Sequence, residues 1–287
     1  MFLADNWNDY AVLDTGNGEK LERWGDIVLE RPDPQTIWPP ISPSAWKKAD
    51  AVYHRSERGG GDWAFHRKLP DRWIIRYGSL AFYVRPTGFK HTGLFPEQAA
   101  NWDWMQKVIR DSQKERPRIL NLFGYTGGAT FACVQTGAHV THVDAAKGMV
   151  QWAKENALLN HLSEDRFRWI VEDAQNFVER EIRRGHAYDG ILMDPPSYGR
   201  GPGGEVWKLE DKLFPLVEKS VHLLSQDALF FLINSYTTGF QASVLSNLLS
   251  RLILPDHGGT VDAQELCLPV QSGGVLPCGC SGRWEHA

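Results

Sequence analysis

The 287-residue sequence has no apolar run of about 18 residues, the length a membrane-crossing helix needs. Its opening stretch, MFLADNWNDY, carries acids and no basic flank, so it is not read as a secretory signal. Only 4 cysteines are present, which excludes a disulfide framework in a chain of this length and points to the cytoplasm. Cys278 and Cys280 form a C-x-C with Cys267 upstream, but a second C-x-x-C and a paired histidine are lacking, so no metal site is expected. No internal repeat is visible. The net charge is only −4, so no overall basic excess announces a nucleic-acid partner.

The distribution of charge is more informative than its sum. Residues 1–46 carry 3 basic and 8 acidic side chains, residues 47–90 carry 10 and 4, and residues 91–287 carry 18 and 23. The middle segment also holds Tyr53, Trp63, Phe65, Trp73, Tyr77, Phe82, Tyr83 and Phe89. Basic groups interleaved with aromatics suit phosphate contact and base stacking. The same residues suit a small β-sheet with an aromatic core and solvated charges.

Residues 1–90 read as a small β-rich module. YAVLDTGNGEKLERWGDIVLERP predicts a hairpin turning at Gly16–Gly18, and the Pro-rich PDPQTIWPPISP excludes regular structure. From residue 91 the pattern changes to strands alternating with amphipathic helices: RILNLF, AHVTHVD, RFRWIVED, YDGILMD and DALFFLINS are the strands. This predicts an α/β fold, a doubly wound and mainly parallel sheet of about seven strands with helices on both faces. The tail, TVDAQELCLPV and LPCGCSGRWEHA, predicts a closing hairpin that adds an antiparallel edge strand.

Open α/β sheets bind ligands outside the carboxyl ends of their strands. The first core strand ends in Asn121-Leu-Phe-Gly-Tyr-Thr-Gly-Gly128, where Gly124, Gly127 and Gly128 allow a sharp turn and a close backbone approach. The second ends at Asp144, 20 residues after Gly124, suited to accepting both hydroxyls of a ribose. The third ends in Glu172-Asp173-Ala174, suited to an adenine amine with backbone N–H beside it. The fourth ends at Asp194-Pro195-Pro196. Together these fit a nucleoside. The glycine spacing, G-x-x-G-G rather than G-x-G-x-x-G, argues against a dinucleotide oxidoreductase.

The segments HTGLFPEQAANW, NLFGYTGGAT, VDAAKGMVQWAKENALLN, EDAQNF and DPPSYGR resemble class I S-adenosylmethionine-dependent methyltransferases. More narrowly, they resemble the bacterial family of large-subunit ribosomal RNA methyltransferases that modify cytosine C5 or guanine N7. The resemblance implies a Rossmann-like sheet, S-adenosylmethionine as cofactor and RNA as partner, met through segment 47–90 and loop 197–208. It implies that Asn121, Phe123, Gly124, Tyr125 and Thr126 border the methionine part. Asp144 then binds the ribose with Ala145 beside the adenine, Asp173 and Ala174 bind the adenine edge, and Phe95, Pro96 and Gln98 close over the cofactor. Asp194 borders both donor and acceptor.

A ring carbon such as cytosine C5 needs activation by a cysteine, and the positions after the fourth and fifth strands carry Ser197 and Ser235 instead. Asp-Pro-Pro followed by an aromatic resembles the loop of amino-group methyltransferases. There the acid and a proline carbonyl orient a nitrogen lone pair while the ring, here Tyr198, stacks on a planar base. Asp194, Pro195, Pro196, Ser197 and Tyr198 are therefore the candidate catalytic residues. Arg200 to Glu205, with glycines at 201, 203 and 204, is expected to be a flap. His91, Arg200 and Lys208 are weaker candidates. The rival readings are a small-molecule or protein methyltransferase and a non-catalytic nucleotide-binding module.

Overall fold

Runs such as ILNL, GILM and FFLIN are apolar at successive positions, which suits strands buried on both faces. The computed structural model describes residues 1–56, 60–88, 90–200 and 206–286, with the backbone alone at Arg200. Two compact units are present: Leu3–Ala100 with Cys267–Cys278, and Met1–Phe2 with Asn101–Leu266 and Gly279–Ala287.

The N-terminal unit follows a two-residue strand, β1 (Phe2–Leu3). Strands β2 (Tyr10–Gly16), β3 (Glu19–Trp24), β4 (Ile27–Pro32), β5 (Ala51–Arg55) and β6 (Gly61–Phe65) form one sheet in chain order. The expected hairpin turn is there: Asn17 and Gly18 have φ of 55° and 80°, as a two-residue turn of this kind requires. The Pro-rich stretch 32–43 enters regular structure only at its ends, where Pro32 closes β4 and Pro43 opens α1 (Pro43–Trp46). Asp14 ties this stretch down, accepting from Ser42 N at 2.8 Å, Trp46 Nε1 at 2.9 Å and Ser272 Oγ at 2.6 Å. Strands β7 (Trp73–Tyr77) and β8 (Leu80–Val84) pair separately.

Most aromatics of the positive segment serve this unit's own packing. Tyr53, Tyr77 and Phe82 are buried, Trp63 Nε1 donates to the Thr87 carbonyl, and Trp73 Nε1 donates to the Trp24 carbonyl. Phe65 is 54% exposed, and Phe89 lies outside the described residues. The packing unit extends beyond residue 90 because Arg31 donates to the Lys90 carbonyl and Trp7 Nε1 to the Pro96 carbonyl. It takes in Cys267–Cys278 because Gln271 N reaches the Val12 carbonyl.

The larger unit begins in α2 (Ala99–Asp111) and alternates: β9 (Arg118–Leu122), α3 (Gly128–Val134), β10 (His139–Asp144), α4 (Lys147–Leu159), β11 (Phe167–Val171), α5 (Ala174–Arg183) and β12 (Gly190–Met193). A short hairpin, β13 (Tyr198–Arg200) and β14 (Val206–Lys208), interrupts before α6 (Leu209–Val221), β15 (Phe230–Ser235), α7 (Ala242–Leu252), α8 (Leu254–His257), β16 (Thr260–Pro269) and β17 (Val275–Glu285). The sheet order is β1-β16-β17-β15-β12-β9-β10-β11, with β11, β10, β9, β12 and β15 parallel. Helices cover both faces. Leu120, Leu122, Ile191, Met193, Phe231 and Ile233 pack with α5, α6 and α7, whereas Asn121 and His142 meet Thr130 of α3 on the other face.

Two details depart from the expectation. The sheet has eight strands, the extra one being the two residues of β1. The antiparallel strand is interior, not at the edge: β17 pairs with β15 from Phe230↔Glu285 to Ser235↔Cys280, and β16 and β1 lie beyond it. Its inward register suits its composition, since Cys280 and Trp284 join the apolar core.

Candidate active site

The carboxyl ends of the parallel strands are level. Leu122 of β9 pairs with Val143 of β10 and Met193 of β12, Met193 pairs with Ile233 of β15, and Asp144 pairs with Val171 of β11. The chain moves from β9 through β10 to β11 on one side, then to β12 and β15 on the other. The strand order therefore switches between β9 and β12, the place where sheets of this type open a crevice.

The turn after β9 is held in unusual backbone conformations. Phe123 and Tyr125 have φ of 60° and 50°, and Gly127 has φ of 97°. Left-handed conformations at two non-glycine residues cost free energy and persist only where surrounding contacts enforce them. One such contact is the Tyr125 amide, which donates to Asp144 Oδ2 at 2.9 Å. Gly124 is required for a reason the spacing did not reveal: a Cβ there would stand 2.4 Å from the His142 ring. The missing side chain at Gly124 makes room for a neighbouring residue's ring.

That ring belongs to a buried polar chain. Asn121 Nδ2 donates to Thr130 Oγ1 at 2.9 Å, and Thr130 Oγ1 bonds His142 Nδ1 at 2.9 Å. Burial keeps His142 neutral, with its pKa pushed down to about 3, and its Nε2 has no hydrogen-bond partner among the described residues. Asn121 thus braces the turn from beneath. Thr126 is buried, and its carbonyl accepts from Asn156 Nδ2 of α4 at 3.0 Å.

Asp144 accepts one amide on each oxygen, Tyr125 N on Oδ2 and Ala146 N on Oδ1 at 2.8 Å. Each oxygen keeps a second lone pair. Burial raises its pKa, and the two amides pull the other way. No cation pairs with this carboxylate among the described residues. A half-buried carboxylate with spare lone pairs and no ion pair fits a vicinal diol. Ala145 beside it is exposed.

Asp173 is the N-cap of α5, its Oδ1 accepting from Asn176 N at 3.1 Å, and Ala174 is the first helical residue. Its neighbour Glu172 is tied to Arg180 at 2.5 Å. The cap fixes the Asp173 side chain at the strand end, beside the buried first helical residue Ala174.

Past β12 the chain forms a platform. Pro195 is buried, whereas Pro196, Ser197 and Tyr198 are exposed. Residues from elsewhere secure it. Trp207 Nε1 donates to the Pro196 carbonyl at 2.6 Å, Leu209 N to the Ser197 carbonyl at 3.1 Å, and Thr237 Oγ1 to Ser197 Oγ at 2.6 Å. Tyr198 pairs with Lys208 across the β13–β14 hairpin. The rest of the expected flap, residues 201–205, lies outside the described residues. Trp207, Thr237 and Asn156 were not among the candidates, and no motif marks them.

The structure thus gathers Asn121, Phe123, Gly124, Tyr125, Thr126, Asp144, Ala145, Asp173, Ala174 and Asp194–Tyr198 at the strand ends of one unit. Phe95, Pro96 and Gln98 belong to the N-terminal unit. There Pro96 gives its carbonyl to Trp7, Gln98 is buried, and Phe95 lies 5.1 Å from the His91 ring. Burial with Arg31 and Lys90 nearby pushes His91 down to about 4. One cysteine does stand beside a strand end: Cys280 pairs with Ser235. Its thiol donates to the Phe240 carbonyl at 3.1 Å, and burial pushes its pKa up to about 11. It is therefore a protonated, inert thiol at neutral pH.

A family model described as S-adenosylmethionine-dependent methyltransferase matches residues 44–224. The chain is 26% identical over 259 residues to the ribosomal RNA large subunit methyltransferase K of Neisseria meningitidis, covering 87% of this chain and 68% of that one. It is 32% identical over 145 residues to the ribosomal RNA large subunit methyltransferase K/L of Syntrophotalea carbinolica, covering 50% of this chain and 19% of that one. Across the leading curated relatives the chain spans between 19% and 49% of their length. A crystal structure of a SAM-dependent methyltransferase from Agrobacterium tumefaciens superimposes with a TM-score of 0.93 at 37% identity, covering 99% of this chain and 93% of that one.

Proposed function

The chain belongs to the S-adenosylmethionine-dependent methyltransferases, and from that premise we propose that it methylates a base nitrogen of ribosomal RNA by direct in-line transfer, without a cysteine nucleophile. The observation that carries this is the level placement of Asp144 and Asp194-Pro195-Pro196 on either side of the β9 turn. S-adenosylmethionine supplies an electrophilic methyl on a sulfonium centre. The chain's own residues bind, orient and exclude water.

Asp144 accepts both ribose hydroxyls through its spare lone pairs, with Ala145 beside the adenine. Asp173 and the Ala174 amide recognise the adenine edge. The turn from Phe123 to Thr126 borders the methionine part, and Asn121 holds that turn through Thr130 and His142. On the acceptor side, Asp194 and a proline carbonyl of the platform accept hydrogen bonds from a target amino group, which aims its lone pair at the methyl; the nitrogen–methyl bond would form as the sulfonium's bond to that methyl breaks, and the amine's surplus proton would pass to water. The Pro196 carbonyl accepts from Trp207 and keeps its second lone pair. Tyr198, 54% exposed, stacks on the base and favours the positive charge that develops on it.

What supports nitrogen over ring carbon is the serine at each strand end and the protonated state of Cys280. What supports RNA is the similarity to ribosomal RNA large subunit methyltransferases together with the positive balance of residues 47–90, where Lys47, Lys48, Arg55 and Lys68 are exposed alongside Phe65. In this reading residues 1–90 and the Ser197–Lys208 loop meet the RNA, residues 91–287 carry the transfer, and the reaction takes place in the cytoplasm. The test is methyl incorporation from labelled S-adenosylmethionine into total RNA of a strain lacking the protein. Incorporation by the wild type, lost with Asp194→Ala, is expected; no incorporation into any RNA would sink the substrate assignment.

A further inference from the structure

We propose that Trp207 is a positioning residue for methyl transfer, a latch that holds the acceptor platform in register with the turn carrying the donor; this rests on the methyltransferase reading above. Its indole N–H donates to the Pro196 carbonyl at 2.6 Å, the middle of the Asp194–Tyr198 platform. Its ring centroid lies 5.3 Å from that of Phe123, at an interplanar angle of 60°. Phe123 opens the donor turn with φ of 60°. One side chain therefore touches both elements that an in-line displacement must align.

The hairpin places the indole for this task. Trp207 pairs with Gly199, the residue after Tyr198, and the next ladder contact is Leu209 N to the Ser197 carbonyl at 3.1 Å. Prolines at 195 and 196 restrict the platform's φ angles but donate nothing, so at these two positions only the carbonyls can be held by hydrogen bonds. The Trp207 bond supplies one of these at the Pro196 carbonyl, two residues before Tyr198, which would stack on the base. A shift of about 1 Å in a reacting group can cost about a hundredfold in rate, so a latch here is felt in kcat.

Two variants separate a latch from simple packing. Trp207→Phe keeps a ring against Phe123 and removes the N–H; Trp207→Ala removes both. The latch predicts that Trp207→Phe lowers kcat about tenfold and Trp207→Ala about a hundredfold. KM for RNA and affinity for S-adenosylhomocysteine by calorimetry stay within about twofold of wild type. Deuterium exchange at the Leu209 amide, which involves no substrate, rises about tenfold in Trp207→Phe. Wild-type kcat in Trp207→Phe, a loss of cofactor affinity that matches the loss of rate, or unchanged exchange at Leu209 each overturns the latch. A wild-type protein that methylates no RNA counts against the substrate reading instead, and the exchange measurement still decides the latch.

Discussion

The turn after β9 and the loop after β12 lie side by side and are built by opposite means. The donor turn is held by its own main chain and by the residues directly beneath it: Tyr125 N on Asp144, Gly124 against His142, and Asn121 on Thr130. The acceptor platform is stiffened by two prolines and then anchored by side chains from distant positions, Trp207 to Pro196 and Thr237 to Ser197. The cofactor is a constant ligand and suits a backbone-built cradle. The acceptor side has to recognise a particular target, and side chains are easier to vary than a turn.

If this division holds, substitutions in one half leave the other half's measurement alone. Asp194→Ala should give the largest effect, a loss of about a hundredfold or more in transfer rate, with cofactor affinity largely kept. Collapse of binding in calorimetry would move Asp194 into the donor half. Gly124→Ala should do the reverse, because its Cβ would stand 2.4 Å from a fully buried ring. We expect about 1–3 kcal/mol of lost stability in denaturant unfolding, with cofactor binding weakened alongside. Asp144→Asn should raise the Kd for S-adenosylmethionine about tenfold while kcat at saturation stays near wild type.

His142 gives the donor half a pH signature. Its folded pKa of about 3 lies below the unfolded value of about 6.5, so between these values the unfolded chain binds a proton that the native state refuses. Stability is kept above that window and falls as pH drops into it. The loss attributable to this residue by pH 5.5 is about 1 kcal/mol. A His142→Gln variant should show a shallower decline of Tm from pH 7 to 5; an identical decline would mean that His142 is not held neutral. The smallest effect belongs to Gly199→Ala in the hairpin, where a Cβ meets Pro196 at 3.8 Å, an ordinary contact. Its stability should stay within about 0.5 kcal/mol of wild type.

The same division explains what the sequence disclosed. The parallel core was readable because both-face apolar runs alternate with amphipathic helices, and Asp144 and Asp173 stood out because strand-end acids follow directly from those runs. The role of Gly124 was half legible: a turn was evident, but the His142 ring it accommodates lies 18 residues on, in a strand whose inward face is known only once the sheet is formed. Trp207 and Thr237 were invisible, being 11 and 40 residues from their partners with no motif to connect them. The interior position of β17 was missed because a closing hairpin carries no signal saying which of its strands turns inward. The aromatics at 53–83 pattern equally well for a sheet core and for base stacking, and most of them pack within their own unit.

The most direct test of the central claim is nucleoside mass spectrometry of ribosomal RNA, isolated from a strain lacking the protein and incubated with the purified protein and isotopically labelled S-adenosylmethionine. A label on a base nitrogen is the predicted result. A label on a pyrimidine C5, or none on any base, would contradict a platform that orients a nitrogen lone pair between Asp194 and the donor turn.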